Sequence, residues 1–214
     1  MKWSKKAWDA SLVIYNEILK SPFNVGLMEG SLPKEVFKNY LKQDTIYIAN
    51  YSEEMGIIAD MIEDIEYKNL FTQFSIDGME AEKELHKHLA EKLGIKLSSE
   101  KNNATEVTLA YINHTRQYVD AGNLEFSLAA ILPCIWVYNE IGIYLAANCK
   151  KENNPYLDWI NTYSSPLMLD GINSTIAFCD KLASNSDEKT SSEMIKIFVE
   201  GVEHELVFFN DSFR

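Results

Sequence analysis

Apolar residues recur along this chain at intervals of three and four, the repeat of one buried face on an α-helix. Trp8, Leu12, Tyr15, Ile18 and Leu19 keep that spacing, and Ser21-Pro22 ends the run. Gly30-Ser31-Leu32-Pro33 opens a second helix, in which Phe37, Tyr40, Leu41, Asp44, Tyr47, Ile48 and Tyr51 share one face. A third helix is expected over residues 65–93, stopping at Gly94, with a bend near Ile76-Asp77-Gly78. Beyond a polar loop at 96–105, the pattern predicts a helix over 106–121 closed by Gly122 and a long, largely buried one over 124–149. A short helix should start at Asn153-Asn154-Pro155 and run through Tyr163, and another should run from Ser164-Ser165-Pro166 through Ala183. Thr190-Ser191-Ser192-Glu193 fits a capping box for the last helix, which runs to about Asn210. No stretch alternates with period two, and no Asn-Gly or Asp-Gly turn separates β-branched runs. The fold class expected is all-α, in a single domain spanning residues 1–214.

Composition narrows the function more than the fold. Of 214 residues, 46% are hydrophobic and 24% charged, ordinary for a globular chain with a full core. The 32 acidic and 20 basic side chains give a net charge of -12, and no Lys/Arg-rich run offers a footprint for DNA or RNA. Met1 to Asp9 carries basic residues but no continuous apolar segment, so it reads as neither signal peptide nor anchor. The longest apolar-rich stretch, 129–138, falls short of the roughly 20 residues that span a membrane. Cys134, Cys149 and Cys179 form no CxxC pair, so neither a zinc knuckle nor a disulfide framework is indicated, and reduced thiols in the cytoplasm are expected.

Three places could carry chemistry. Asp44, Tyr47 and Tyr51 lie at i, i+3 and i+7, on a stripe whose neighbours Tyr40, Leu41 and Ile48 make it core-facing. A carboxylate there must find donors, because an unpaired buried charge is costly; a structural Asp bound to a tyrosine satisfies the pattern equally well. Cys134 follows Pro133 inside the apolar run, with Tyr138 one turn on. A proline there is expected to kink the helix or open a bulge and turn the cysteine toward a cavity, although a lone buried cysteine is also an ordinary packing residue. Cys149 and Cys179 have no such setting. Glu205 stands three residues before Phe208, while Glu203 points about 200° away. A carboxyl against an aromatic ring would have a raised pKa and act as a proton donor, the alternative being a solvated face.

Metal and cofactor motifs are wanting. Helical di-iron sites use Glu-x-x-His, which does not occur. Glu80, Glu82 and Glu84 precede His86 and His88 at other spacings, and no histidine comes before His86 to serve a haem. Neither a Gly-rich phosphate loop nor a serine nucleophile elbow is present. No metal and no cofactor is expected. His86 or His114 could activate a cysteine, but nothing in the sequence brings either to Cys134.

Read in order, Ser21-Pro22-Phe23, Gly30-Ser31-Leu32-Pro33, Phe37, Tyr40-Leu41 and Gln43-Asp44 through Tyr47 strongly resemble the thiaminase II (TenA) family. The resemblance continues through Glu84-Leu85-His86, Ala110-Tyr111, Pro133-Cys134 with Tyr138, Trp159-Ile160 with Tyr163-Ser164-Ser165, and Glu205 with Phe208. It covers essentially the whole chain; six pieces in the right order are specific where each alone is weak. Phe209 stands where the family usually has tryptophan, and Cys134 places the chain in the cysteine-containing branch.

The resemblance implies a haem-oxygenase-like helical bundle without haem, usually a homotetramer. It also implies hydrolysis at the pyrimidine methylene of an aminomethyl-aminopyrimidine, or of thiamin, in thiamin salvage. On that reading Cys134 adds to the electron-poor ring, Glu205 protonates the ring nitrogen, and Asp44 binds the ring's amino group or serves a proton network. Tyr47, Tyr51, Tyr111, Tyr138, Tyr163 and Phe208 would form the walls around a flat ligand. Two other functions share these residues: a binding or regulatory protein that holds an aminopyrimidine without turnover, and a haem-oxygenase-like oxidase.

Overall fold

The computed structural model describes residues 1–213, leaving aside the side chains at positions 74, 77, 78, 79 and 167. Among the described residues there are nine α-helices and no strand. They are α1 (Trp3–Lys20), α2 (Pro22–Glu29), α3 (Lys34–Met61), α4 (Ile65–Leu93), α5 (Glu106–Asp120), α6 (Leu124–Asn148), α7 (Leu157–Tyr163), α8 (Pro166–Asn185) and α9 (Glu188–Asp211). The all-α expectation holds, and most boundaries fall within two residues of those the sequence suggests.

Four details differ. Ser21-Pro22 does not only end α1: the Ser21 hydroxyl accepts the Asn24 N–H and Pro22 occupies the first turn, so the same residues start α2. Gly30 ends α2 at φ 71°, a left-handed conformation that costs glycine nothing. The last helix begins at Glu188 and is capped by Asp187, whose carboxylate accepts the Thr190 N–H, so Thr190 lies inside the first turn and is not the cap. The polar loop contains one 3-10 turn, Lys101–Asn103. The backbone stays helical through Ile76-Asp77-Gly78.

α6 runs unbroken through Pro133, and the proline ring fills the space over Gly201 of α9, where an added Cβ would lie 2.6 Å from the Pro133 Cγ. Proline and glycine together let α6 and α9 approach closely. Leu128 to Leu132 and Val137 are fully buried in α6, which packs against α3, α5, α7, α8 and α9. By length and composition α6 as a whole would cross a membrane, with a window of mean hydropathy 1.5, yet 78% of that window is buried inside the protein. Its apolarity is that of a central core helix.

Candidate active site

The helices that surround α6 aim polar side chains at one face of it. From α3 come Tyr40, Asp44, Tyr47 and Tyr51, all buried; Asp44 is 2% exposed. α4 supplies Glu82 and His86, one turn apart on the same face. Tyr111 comes from α5, Cys134 and Tyr138 from α6, Trp159 and Tyr163 from α7, and Glu205 with Phe208 from α9. Glu203 is exposed and Glu205 is 1% exposed, as the helical angle between them requires. The residues expected to act on or enclose a ligand, from Asp44 to Phe208, are all buried here, whereas Cys149 is part-buried elsewhere.

Its rings are in contact. Tyr47 stacks on Tyr111 with centroids 4.4 Å apart, Tyr47 meets Phe208 at 6.2 Å and Tyr51 at 6.1 Å, and Tyr138 meets Tyr163 at 5.0 Å. Phe209, in the place of the family's tryptophan, is fully buried among Phe23, Tyr40 and Tyr138, and so packs behind the wall.

Each carboxyl has its own tether. The Tyr40 hydroxyl donates to Asp44 Oδ2 at 2.8 Å and itself receives the Trp159 indole N–H at 3.2 Å. His86 Nε2 meets the same Asp44 oxygen at 3.1 Å. Behind the ring, Thr45 donates its hydroxyl to the Leu41 carbonyl, so at His86 Nδ1, 3.0 Å away, it can only accept. Both imidazole nitrogens therefore face oxygen acceptors, which the cationic ring satisfies. Burial alone would lower the His86 pKa; the hydrogen bond and charge of Asp44, with Glu82 beyond, outweigh it and raise it.

Across the chamber, Tyr111 donates to Glu205 Oε1 at 2.6 Å, while Glu205 Oε2 is buried without a partner. Burial pushes the Glu205 carboxyl well above the usual range; the Tyr111 bond holds it down a little, and Asp44 and Glu82 push it further up. A carboxyl held up in this way suits proton donation. Burial likewise raises the Cys134 thiol, and Glu205, Glu82 and Asp44 raise it further. Tyr47, whose hydroxyl makes no hydrogen bond of regular geometry, faces the thiol and offsets a little of this. The resting cysteine is a thiol, so its proton has to be carried away as it attacks.

Sequence reasoning passed over Glu82, His86, Tyr40 and Trp159 as parts of the site. Glu82 and His86 stand at i, i+4, a spacing that puts both on one helical face and differs from the Glu-x-x-His of di-iron bundles. Asp44, Glu82 and His86 bring donor atoms within 4.8 Å of one another. Those atoms serve one another and their tyrosines: Tyr40 and His86 on Asp44, Thr45 on His86, Tyr163 on Glu82. With both ring nitrogens engaged, His86 is no free axial ligand for haem. A cleft of about 570 Å³ lies behind His86, between α3, α4 and the loop after α4, and its lining includes Thr45, Ser52, Lys83 and Lys87 but no cysteine.

Residues 8–214 match the family model described as TENA/THI-4/PQQC. The chain belongs to that family. Among its relatives, an aminopyrimidine aminohydrolase of Bacillus subtilis is 30% identical over 100% of this chain and 91% of its own length. A thiamine biosynthesis multifunctional protein of Corynebacterium glutamicum is 29% identical over 99% of this chain, which spans only 27% of that longer protein. Solved TenA homologues from Pyrococcus furiosus (TM-score 0.90, 22% identity, 98% of this chain and 99% of that one) and P. horikoshii (0.87, 27%, 100% and 99%) share the fold.

Proposed function

We propose that this protein is an aminopyrimidine aminohydrolase of the thiaminase II type, which replaces the amine on a pyrimidine methylene with water by way of Cys134. The observation that carries the reading is the chamber itself: a buried thiol ringed by aromatic walls, with a buried carboxyl whose Oε2 lacks a partner. A flat heteroaromatic ring stacks between such walls, and its nitrogen supplies the acceptor that Glu205 Oε2 lacks. Full-length relatives named aminopyrimidine aminohydrolase, near 30% identity, support the same chemistry.

The proton balance follows from the tethers. As the Cys134 sulfur bonds to the ring carbon beside the nitrogen, Glu205 Oε2 gives its proton to that nitrogen. The thiol proton moves toward Tyr47, whose phenol faces both the thiol and Tyr111, and Tyr111 delivers a proton to Glu205 Oε1. The net transfer is from sulfur to ring nitrogen, and no free thiolate forms beside three carboxyls. The dearomatised ring expels the amine, water adds at the methylene, and return of the C–S electron pair to sulfur restores aromaticity. Asp44, held by Tyr40 and His86, binds the ring's amino group. A cytoplasmic role in thiamin salvage and assembly as a homotetramer belong to this proposal.

The test is release of hydroxymethylpyrimidine from 4-amino-5-aminomethyl-2-methylpyrimidine, wild type against Cys134→Ser. Turnover should collapse to the uncatalysed rate in the variant. Binding without turnover by the wild type would instead make this a binding protein.

A further inference from the structure

The chamber holds a carboxyl that the steps above leave idle. Glu82 of α4 is buried and receives the Tyr163 hydroxyl at Oε1, 2.6 Å away, with no second hydrogen bond among the described residues. Beyond Tyr163, Asp44 and His86 bring donor atoms within 4.8 Å of it. Glu205 is tethered separately, from α9 to Tyr111 of α5. The site thus has two carboxyl poles, one built by α3, α4 and α7 and the other by α5 and α9.

The ligand has matching poles. On a 4-amino-5-aminomethylpyrimidine, ring nitrogen 1 lies across the ring from the 4-amino group, and the 5-methylene is that amino group's immediate neighbour. With nitrogen 1 at Glu205 and the amino group at Asp44, the carboxyl adjoining Asp44 faces the 5-substituent. From this juxtaposition we propose that Glu82 is a catalytic residue of the exchange at the methylene carbon, holding the departing amine and then deprotonating the incoming water. The assignment rests on the aminohydrolase reading above.

The atoms balance over one cycle. The Glu82 acid protonates the bound amine, giving an ammonium–carboxylate pair. The C–N bond breaks with both electrons on nitrogen, and ammonia leaves, driven by the electron pair of the thiol–ring adduct. Water oxygen then bonds to the methylene carbon, and one water proton passes to the Glu82 carboxylate, restoring the acid. A group that both gives and takes a proton near neutrality must titrate there. Burial, with the charge of Asp44, pushes Glu82 up to about 7 against the restraint of His86 and Tyr163. Around it stand Asp44 and Tyr51 from α3, Cys134 from α6, and Glu205 from α9, while Asp180 and Lys181 of α8 are engaged with Ser4 and Asp64.

Glu82→Gln keeps the size and the acceptor for Tyr163 but cannot shuttle a proton. Two substrates separate the roles, because the thiazole of thiamin leaves as a neutral molecule and needs no proton. The variant should lose about 10²–10⁴-fold in kcat on the aminomethyl compound. Its loss on thiamin should be smaller, so that the ratio of the two rates falls at least about tenfold. The alkaline fall in the wild-type rate with the aminomethyl compound should flatten. Equal loss on both substrates, or an unchanged pH profile, overturns the assignment. If Glu82→Gln does not fold, Tyr163→Phe decides: loss of the hydrogen bond that holds Glu82 down should move the alkaline limb upward, and an unmoved limb overturns the assignment. Wild-type protein inactive on both compounds brings down the hydrolase reading itself, and this assignment with it.

Discussion

Replacing Gly142 with alanine adds one carbon where α6 and α7 leave no room for it. A Cβ there would lie 2.5 Å from the Tyr163 carbonyl carbon, 2.7 Å from its oxygen and 2.8 Å from the Ser164 nitrogen, against ordinary contact from 3.4 Å. All three are backbone atoms, so no rotamer can relieve the clash, and the end of α7 has to move by most of an ångström. That movement strains the Asn139 hydrogen bond to the Tyr163 carbonyl, now 2.9 Å, and carries the Tyr163 phenol off Glu82. Alanine in a helix interior gains about 0.5–1 kcal/mol over glycine, and overpacking of a tight core costs about 1–3 kcal/mol. A net loss of roughly 1–2 kcal/mol lowers Tm by about 2–8 °C in a chain of this size. Gly56→Ala is the control: that position, exposed in α3, has nothing within 4 Å, so only the helical gain remains, and Tm should rise by about 1–4 °C. Differential scanning calorimetry of both variants gives two signs from one chemical change. A Gly142→Ala protein as stable as wild type would refute the close approach of α7 and the placement of Tyr163 that depends on it.

Glu54 is buried, its Oε1 has no partner, and burial pushes its carboxyl up to about 7. A carboxyl raised in the folded state contributes stability below its unfolded value near 4.5, and that contribution is lost as pH rises through 7. The difference is worth on the order of 3 kcal/mol, so Glu54→Gln should melt several degrees above wild type at pH 8 and no higher than wild type at pH 5. An equal difference at both pH values would contradict the burial argument. Iodoacetamide at pH 7.5 should label Cys149, which is part-exposed, well before Cys134 or Cys179, whose thiols burial holds up; peptide mapping that finds Cys134 first would mean the resting site holds a thiolate.

Helix positions were legible because the apolar spacing is long and consistent, and Asp44-Tyr47-Tyr51 announced a polar group on a buried face. What the sequence hid was pairing across helices. Nothing local links Tyr111 to Glu205 or Tyr163 to Glu82, 94 and 81 residues away. The partner of His86, Asp44, lies on another helix 42 residues earlier. The glycine that Pro133 packs against, Gly201, lies 68 residues further on in α9. The second role of Ser21-Pro22 was missed because one serine both follows a helix and caps the next.

The order in which the site's parts occur along the chain has a consequence for synthesis. Asp44 and its tether Tyr40 come early, the thiol two thirds of the way along, and Glu205 almost last. Until α9 docks its Gly201 against Pro133, a growing chain carries the nucleophile without the acid that must partner it. A half-made molecule can therefore hold no complete proton circuit, and the burial and the Glu205 charge that hold the Cys134 thiol up are complete only when the final helix closes over the bundle.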